Sequence, residues 1–213
     1  MQTVAVLDYG MSNLRSVVKA LESVAERDSR IEITDRPEQL RRADRIVFPG
    51  QGAIRQCMVN LAQLNLEQAL RQCLETRPYL GICLGLQSLM GSSEEDGGTG
   101  CLRVLAGTVR RFPDFVRDES GRPFKIPHMG WNQVQQAREH PLWDGIADGE
   151  RFYFVHSYYV VPDETALVAG TTLYTTRFAS ALARDNLFAV QFHPEKSQQC
   201  GLRLLRNFLE WAP

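Results

Sequence analysis

Short apolar runs alternate with amphipathic stretches along the first 92 residues. Runs rich in β-branched residues predict buried strands at 3–7, 31–33, 45–48 and 79–82. Apolar residues spaced three and four apart predict helices between these runs: from Ser12 or Asn13 to about Ala25, from about Pro37, over roughly 54–76 and over 84–90. Strand and helix therefore alternate four times.

This alternation predicts an α/β fold with a mostly parallel central sheet and helices on both faces. Sheets of this kind bind ligands at the carboxyl ends of their strands. Both the segment Pro49-Gly50-Gln51-Gly52 and Cys83 follow directly after predicted strands. The sequence therefore predicts that these two segments lie at the same edge of the sheet.

The pattern changes after residue 92, where a polar, glycine-rich loop is predicted over 92–100. Short apolar runs then predict antiparallel additions and hairpins at 103–112, 131–135, 151–155, 158–161, 166–174, 177–184 and 187–192. The last amphipathic stretch, 201–211, predicts a closing helix. With no internal repeat and no linker, we expect one domain over 1–213.

Composition excludes several classes of protein. The chain has 213 residues, a formal net charge of -1 and a pI near 6.4, so no basic excess indicates nucleic acid or a membrane surface as partner. No apolar stretch has the length of a membrane span, and the first residues carry no basic leader, so a cytoplasmic protein is expected. Five irregularly spaced cysteines without a CxxC pair argue against a disulfide framework and a metal site.

Cys83 is the candidate nucleophile. The segment Gly81-Ile82-Cys83-Leu84-Gly85 stands between a predicted strand and a predicted helix, which is the cysteine form of a nucleophile elbow. The turn is expected to strain the backbone of Cys83 and to need small neighbours on both sides. It should leave Cys83 exposed above the sheet at a helix N-terminus, which favours the thiolate. The alternative is a buried cysteine beside two packing glycines.

A cysteine nucleophile needs a histidine base, and His193 is the best candidate among His128, His140, His156 and His193. His193-Pro194-Glu195 is expected to be extended, because proline disfavours helix at the preceding residue. Residues two apart then point to the same side, so Glu195 can orient the imidazole. The alternative is a surface strand end with a capping glutamate. His156 also follows a strand, but no carboxylate lies near it in sequence.

Together these segments resemble the class I, triad-type glutamine amidotransferases, which have a flavodoxin-like fold. The resemblance rests on the motifs 49–52, 81–87 and 192–195. Further segments are similar to those of the glutaminase subunits of imidazole glycerol phosphate synthase, namely 8–10 with 13–14, 127–132, 152–158 and 193–197. This similarity extends from Val4 to Phe208.

The resemblance implies a thioester mechanism without cofactor or metal. Cys83, His193 and Glu195 would form the triad, and glutamine would be hydrolysed to glutamate and ammonia. Backbone N–H groups of Leu84 and of the loop formed by Gly50, Gln51 and Gly52 would form the oxyanion hole. Gln87, Ser157 and Tyr158 would hold the substrate. The chain departs from the family at Gln51, where an apolar residue, often valine, is usual.

The resemblance also implies a partner, a separate (β/α)8-barrel cyclase that uses the ammonia in histidine biosynthesis. That cyclase makes imidazole glycerol phosphate and an aminoimidazole carboxamide ribonucleotide. We expect it to dock on a face that consists of Asn13, His128, Met129, Trp131, Asn132 and Lys196. Tryptophan is enriched at interfaces, and Lys196 directly follows Glu195 and should lie on the rim of the site. The alternative for Trp131 is a core position at the start of a strand.

Three other functions remain open at this point. A glutaminase of the same fold could serve a different synthase, although segments 127–132 and 196–197 argue against it. A cysteine peptidase or hydrolase of related fold usually has its histidine close behind the cysteine, whereas His193 comes 110 residues after Cys83. A non-catalytic relative would not be expected to retain Cys83, His193 and Glu195 together.

Overall fold

The central feature of the protein is a large mixed sheet that is parallel on one side and antiparallel on the other. The computed structural model describes residues 1–10, 13–117 and 120–213. The strands of this sheet are β1 (Gln2–Leu7), β2 (Ser29–Thr34), β3 (Arg45–Gly50), β4 (Tyr79–Cys83), β5 (Ser92–Ser93), β6 (Thr99–Gly100), β7 (Gly107–Arg111), β9 (Gln135–Gln136), β11 (Tyr158–Pro162), β12 (Val168–Leu173), β13 (Arg177–Arg184) and β14 (Leu187–Val190). A separate ribbon pairs β8 (His128–Gln133) with β10 (Arg151–His156).

The strand order begins β2-β1-β3-β4-β14 and these neighbours are all parallel. It continues through β13, β11 and β7, which are antiparallel to one another. The predicted α/β class and the parallel core are confirmed. β14 forms the predicted antiparallel hairpin with β13, but it also lies parallel to β4 inside the core, which the sequence did not predict. This position brings the end of β14, and with it His193, next to the end of β4 and Cys83.

Two apolar cores lie on opposite faces of the sheet, because side chains alternate along each buried strand. In β1, Val4 and Val6 pack into one core, while Ala5 and Leu7 pack into the other. The helices that cover the sheet are α1 (Leu14–Val24), α2 (Pro37–Arg42), α3 (Ile54–Gln63), α4 (Leu66–Leu74), α5 (Leu84–Gln87) and α6 (Gln198–Glu210). Buried residues of α1 and α6 share one core, and those of α2, α3 and α4 share the other.

Helix boundaries differ from the sequence prediction in three places. The helix predicted over 84–90 is shorter, since α5 ends at Gln87. The helical region predicted over roughly 54–76 consists of two helices and ends at Leu74, and Asn65 adopts a left-handed conformation with φ 55° between α3 and α4. The closing helix starts three residues earlier than predicted, at Gln198. Asn13 precedes α1, but its side chain makes no capping hydrogen bond, and the alternative cap Ser12 lies outside the described residues. Within the described ranges, no helix is both long and apolar enough to cross a membrane.

Candidate active site

Cys83 lies at the junction of β4 and α5 in a strained turn. Its backbone has φ 54° and ψ -101°, and residues other than glycine rarely adopt a positive φ. A Cβ added to Gly85 would lie 1.9 Å from the carbonyl oxygen of Phe48, and one added to Gly81 would lie 2.7 Å from the carbonyl oxygen of Gly85. The predicted strain and the predicted need for two glycines are confirmed. Cys83 is only 6% exposed, however, so the expectation of an exposed nucleophile is wrong.

His193 and Glu195 form a buried ion pair behind Cys83. Nδ1 of His193 lies 2.8 Å from Oε1 of Glu195, and the side chains are 2% and 3% exposed. His193 keeps an extended backbone, as predicted, but Pro194–Lys196 form a short 3-10 turn, so the prediction of an extended segment over 193–195 is wrong. The predicted contact between the two side chains is therefore present, and the surface alternative for this segment is wrong.

The charge state of His193 follows from its two neighbours. Burial disfavours the imidazolium, but the Cys83 thiol and the Glu195 carboxylate outweigh burial and raise the pKa of His193 to about 9. Nε2 of His193 has no hydrogen-bond partner among the described residues. The Cys83 sulfur is thus close enough to raise the pKa of the ring, although no aligned hydrogen bond joins the two groups. Such loose contacts are common in catalytic pairs without substrate.

Both ring nitrogens of His156 and Nδ1 of His140 are taken up by other hydrogen bonds. Nδ1 of His156 lies 2.7 Å from the Tyr158 carbonyl and its Nε2 lies 3.0 Å from Nδ1 of His128. Burial lowers the pKa of His156 to about 3, so it is neutral and already paired. The side chain of His140 accepts a hydrogen bond from the backbone N–H of Leu142. Neither ring is placed as an alternative base for Cys83.

A cavity of about 330 Å³ opens above Cys83. It is lined by Gln51, Gly52, Cys83, Leu84, Gln87, Glu95, Pro127, Val155, His156, Ser157 and Tyr158. The structure therefore brings all three predicted substrate-binding residues and three of the four predicted oxyanion residues to one space beside the nucleophile. A larger groove of about 860 Å³ between α6 and the 145–151 segment contains none of the predicted triad residues.

The predicted oxyanion segment runs from the end of β3 along this cavity. Gly50 pairs with Cys83 across the parallel strands β3 and β4. Gly50 does not itself line the cavity, and a Cβ there would lie 2.0 Å from the Tyr9 hydroxyl and 2.7 Å from Cβ of Leu84. Gly52 has φ +99°, which favours glycine, whereas Gln51 is half-buried against the cavity.

Gln87 is buried rather than solvent-facing, with 4% of its surface exposed. Its Nε2 donates to the Tyr158 carbonyl at 3.1 Å and to Oε1 of Gln191 at 3.2 Å. Gln191 in turn donates from Nε2 to the Cys83 sulfur at 3.5 Å. The sequence analysis missed Gln191, which follows the end of β14 and stands two residues before His193.

Glu95 is a second residue that the sequence analysis missed. It lies in a 3-10 turn between β5 and β6, where the sequence predicted only a loop. It lines the cavity and accepts a hydrogen bond from the backbone N–H of Ile54 at 2.8 Å through Oε2. Burial raises the pKa of this carboxyl, and the Ile54 hydrogen bond opposes that effect. A glutamate in a polar, glycine-rich loop carries no sequence signal that separates it from its neighbours Glu94 and Asp96.

The outer face of the β8–β10 ribbon continues from the cavity mouth. Met129 and Trp131 are 62% and 41% exposed, so the core alternative for Trp131 is wrong. Trp131 pairs with Tyr153 across the ribbon in an edge-on contact at 6.1 Å, and Nζ of Lys196 lies 5.9 Å from the Tyr153 ring. We call Met129, Trp131, Tyr153 and Lys196 the docking patch. Val155, which is opposite Met129, lines the cavity.

Two residues predicted for the docking face point inward instead. His128 is 3% exposed and stacks on Tyr174 at 4.0 Å and on Phe154 at 4.8 Å. The amide of Asn132 bonds to the Leu173 carbonyl at 2.9 Å and lies 3.2 Å from Nε2 of His128. The reason is the alternation of β8, which sends Met129 and Trp131 outward and therefore His128 and Asn132 inward. Asn13 is exposed at the start of α1.

Comparison with known proteins identifies the family of this chain. The sequence matches the family described as Glutamine amidotransferase class-I over residues 5–211. A protein from Nitrosococcus oceani named Imidazole glycerol phosphate synthase subunit HisH is 61% identical over 211 residues, or 99% of this chain and 98% of the relative. The protein of that name from Methylococcus capsulatus is 53% identical over 214 residues, or 100% of this chain and 98% of the relative.

Two solved structures share the fold at low sequence identity. A glutamine amidotransferase structure superposes with a TM-score of 0.71 at 19% identity and covers 97% of both chains. A glutamine amidotransferase from Thermotoga maritima superposes with a TM-score of 0.65 at 16% identity, over 98% of this chain and 83% of the other. From its full-length match to the family and to the two relatives, the chain belongs to the class I glutamine amidotransferases, among the HisH subunits of imidazole glycerol phosphate synthase.

Proposed function

We propose that Cys83, His193 and Glu195 hydrolyse L-glutamine through a thioester on Cys83, and that the ammonia passes to a cyclase barrel docked over the site. The observation that carries this proposal is the cavity beside Cys83, which has the buried His193–Glu195 pair behind its nucleophile. The identity to two HisH subunits favours this function over service to a different synthase.

The amino-acid end of glutamine binds between Gln87, Glu95, Ser157 and Tyr158. Both amide hydrogens of Gln87 are bonded to the protein, so its amide oxygen is the group that can accept from the substrate ammonium. The Glu95 carboxylate lines the same cavity and supplies the opposite charge for that ammonium. Glutamine is thereby held with its side chain toward Cys83.

The reaction proceeds by attack of the Cys83 thiolate on the side-chain amide carbon. His193 takes the thiol proton and passes it to the leaving nitrogen, which departs as ammonia. Glu195 accepts Nδ1–H of His193, so Nε2 faces the sulfur, and the carboxylate stabilises the imidazolium. Water then attacks the thioester with His193 as the base, and glutamate leaves.

The oxyanion of both tetrahedral intermediates is held by backbone N–H groups. Leu84 is the first residue of α5, where the leading N–H groups have no partner within the helix. The Gln51 and Gly52 peptides face the same cavity and provide the second donor. Gly52 has the conformational freedom that a reorientation of this loop requires.

The cyclase barrel docks on the docking patch with Asn13 at the edge of the contact. This patch combines an exposed tryptophan and methionine with a half-buried tyrosine and lysine, and aromatic residues and methionine are enriched at interfaces. It continues from the cavity mouth through Val155 and Pro127, so a partner seated there covers the route by which ammonia leaves. Ammonia released into water would be protonated and lost to the acceptor chemistry.

The experiment is a reconstitution with a purified cyclase barrel. Glutamate release is measured for the chain alone, with the barrel, and with the barrel plus its nucleotide ligand. We expect low release from the chain alone and strong activation by the barrel with ligand. A Cys83→Ser chain serves as the control for background hydrolysis. High activity of the chain alone, unchanged by barrel and ligand, would contradict the coupling, and no activity under any condition would contradict the function.

A further inference from the structure

Gln191 is a buried polar residue that contacts the reacting sulfur and has no place in the triad mechanism. Its side chain is 0% exposed, and Nε2 donates to the Cys83 sulfur at 3.5 Å. A hydrogen-bond donor in a site that excludes water stabilises negative charge on the atom that it faces. If the amide were rotated, the carbonyl oxygen would face the sulfur and would repel the thiolate. The orientation of this amide therefore decides whether Gln191 helps or opposes the nucleophile.

Neighbouring groups leave only one orientation for that amide. The Tyr158 carbonyl can only accept, so the group that Gln87 presents to it must be the amide nitrogen. The same nitrogen also donates a hydrogen bond to Gln191, so the acceptor must be the amide oxygen of Gln191, Oε1. The remaining group of Gln191, Nε2, is thereby directed at Cys83.

The Tyr158 carbonyl is itself held by a pair of histidines. His156 must donate from Nδ1 to this carbonyl, so its Nε2 accepts from Nδ1 of His128. Nε2 of His128 is then the acceptor, and the Asn132 amide nitrogen lies 3.2 Å from it. Asn132 and His128 belong to β8, whose outer face carries Met129 and Trp131 of the docking patch.

We propose that Gln191 is a further catalytic residue, which stabilises the Cys83 thiolate, and that a polar relay from β8 through His128, His156, the Tyr158 carbonyl and Gln87 fixes its amide orientation. The inference rests on the proposed function, because it gives Gln191 a role at the nucleophile of that reaction. Gln191 touches the sulfur, whereas His128 and His156 act through other groups and are positioning residues. Every bond of the relay has a donor and an acceptor, and the histidines are both neutral.

The test measures thiolate content at Cys83 without using glutamine or the barrel. Iodoacetamide alkylation of the Cys83 peptide is followed by mass spectrometry near pH 7 and near pH 10, and the rate at the higher pH is the reference for access of the reagent. The ratio of the two rates is compared between wild type, Gln191→Leu and Gln191→Glu. Gln191→Glu keeps the shape of the side chain and the acceptor for Gln87, so it is a second variant in case the leucine variant fails to fold.

Thr172→Val is the matched control, since Thr172 is also fully buried and its hydroxyl has no partner in the described structure.

We expect the ratio to fall about tenfold in both Gln191 variants, as loss of a hydrogen bond to a charged group should produce, and to stay at the wild-type value in Thr172→Val. A wild-type ratio in either Gln191 variant would overturn the proposal, and so would an equal fall in Thr172→Val. In the assembled complex, Gln191→Leu should lower kcat for glutamate release with little change in KM. A wild-type complex that releases no glutamate would refute the proposed function, whereas the alkylation ratio would still report the bond to sulfur.

Discussion

Nδ1 of His193 lies 2.8 Å from Oε1 of Glu195, and only Pro194 separates the two residues in the chain. Both side chains are nearly fully buried, so the ring must compensate the carboxylate for the hydration that it loses on burial. The carboxylate in turn orients the ring. The bond holds the proton on Nδ1 when the ring is neutral and leaves Nε2 toward Cys83. In the proposed mechanism His193 is the base and Glu195 orients it, so substitutions of the two residues should have different effects.

His193→Ala should abolish glutamate release in the complex, lowering kcat by roughly 10⁴, while Glu195→Gln should retain more activity. The reason is that the base moves protons itself, whereas the carboxylate only orients and stabilises it. His140→Gln is the matched control, because it alters a partly buried histidine with no link to Cys83. Near wild-type turnover in His193→Ala would mean that another group is the base.

The stability of the protein should be greatest near pH 6.5 as far as its histidines are concerned. His156 has its pKa lowered to about 3, mainly by burial, so between pH 3 and 6.5 the unfolded chain binds a proton that the folded chain does not. The free energy of unfolding therefore falls as the pH falls through this window, and His128 and His140, lowered to about 4, act in the same sense.

His193 acts in the opposite direction. Burial opposes its charge, but Cys83 and Glu195 raise its pKa to about 9, so the folded chain keeps a proton that the unfolded chain loses above pH 6.5. The free energy of unfolding should thus also fall as the pH rises from 6.5 to 9.

Urea unfolding at several pH values measures the two effects separately: the fall in the free energy of unfolding below pH 6.5, the acid limb, and the fall above pH 6.5, the alkaline limb. His156→Gln should flatten the acid limb by up to about 1.4 kcal/mol per pH unit and leave the alkaline limb in place. His193→Gln should flatten the alkaline limb and leave the acid limb in place. Unchanged slopes in both variants would show that these rings do not carry the stated charges.

Gly85→Ala should destabilise the protein by about 1–3 kcal/mol or more, because its Cβ would lie 1.9 Å from a backbone oxygen that cannot move without breaking β3. Gly100→Ala is the control, since a Cβ there meets nothing within 4 Å. Thermal unfolding of the two variants measures the difference. Equal melting temperatures would contradict the close approach of α5 to β3.

Trp131→Ala and Lys196→Ala should weaken the coupling of glutamine hydrolysis to product formation. Loss of the tryptophan opens the seal around the cavity mouth, and loss of the lysine slows association more than it loosens the complex. The measurement is the ratio of glutamate to imidazole glycerol phosphate in the assembled complex, with barrel affinity measured in parallel. Ile33→Ala, an exposed apolar residue on the edge strand β2, is the control. Wild-type affinity and a ratio near one in both docking variants would place the partner elsewhere.

Local patterns in the sequence were sufficient for the first four strands of the parallel core and for the contact between His193 and Glu195. Alternating strands and helices predicted β1 to β4, and the two glycines around Cys83 predicted its turn, because these features depend on neighbours in sequence. The insertion of β14 beside β4 depends on pairing between segments more than 100 residues apart, which no local pattern records.

Side-chain burial in the second half of the chain was harder to predict. His128 and Trp131 belong to one short strand, and its register decides which of them faces inward. The sequence allowed both registers, since the ribbon has an aromatic residue on each face. Gln191 and Glu95 were missed because nothing in their local sequence marks them as site residues. Only the folded structure shows that Gln191 contacts Cys83 and that Glu95 lines the cavity.

The most direct test of the central claim is covalent labelling by the glutamine analogue diazo-oxo-norleucine in the presence of the barrel and its ligand. The analogue should form one adduct, on Cys83, and labelling should be lost in Cys83→Ser and slowed by excess glutamine. Cys57, Cys73 and Cys101 are buried within the fold, and Cys200 lies outside the cavity lining, so none of them should react. An adduct on any of those four cysteines with Cys83 unmodified would contradict the account.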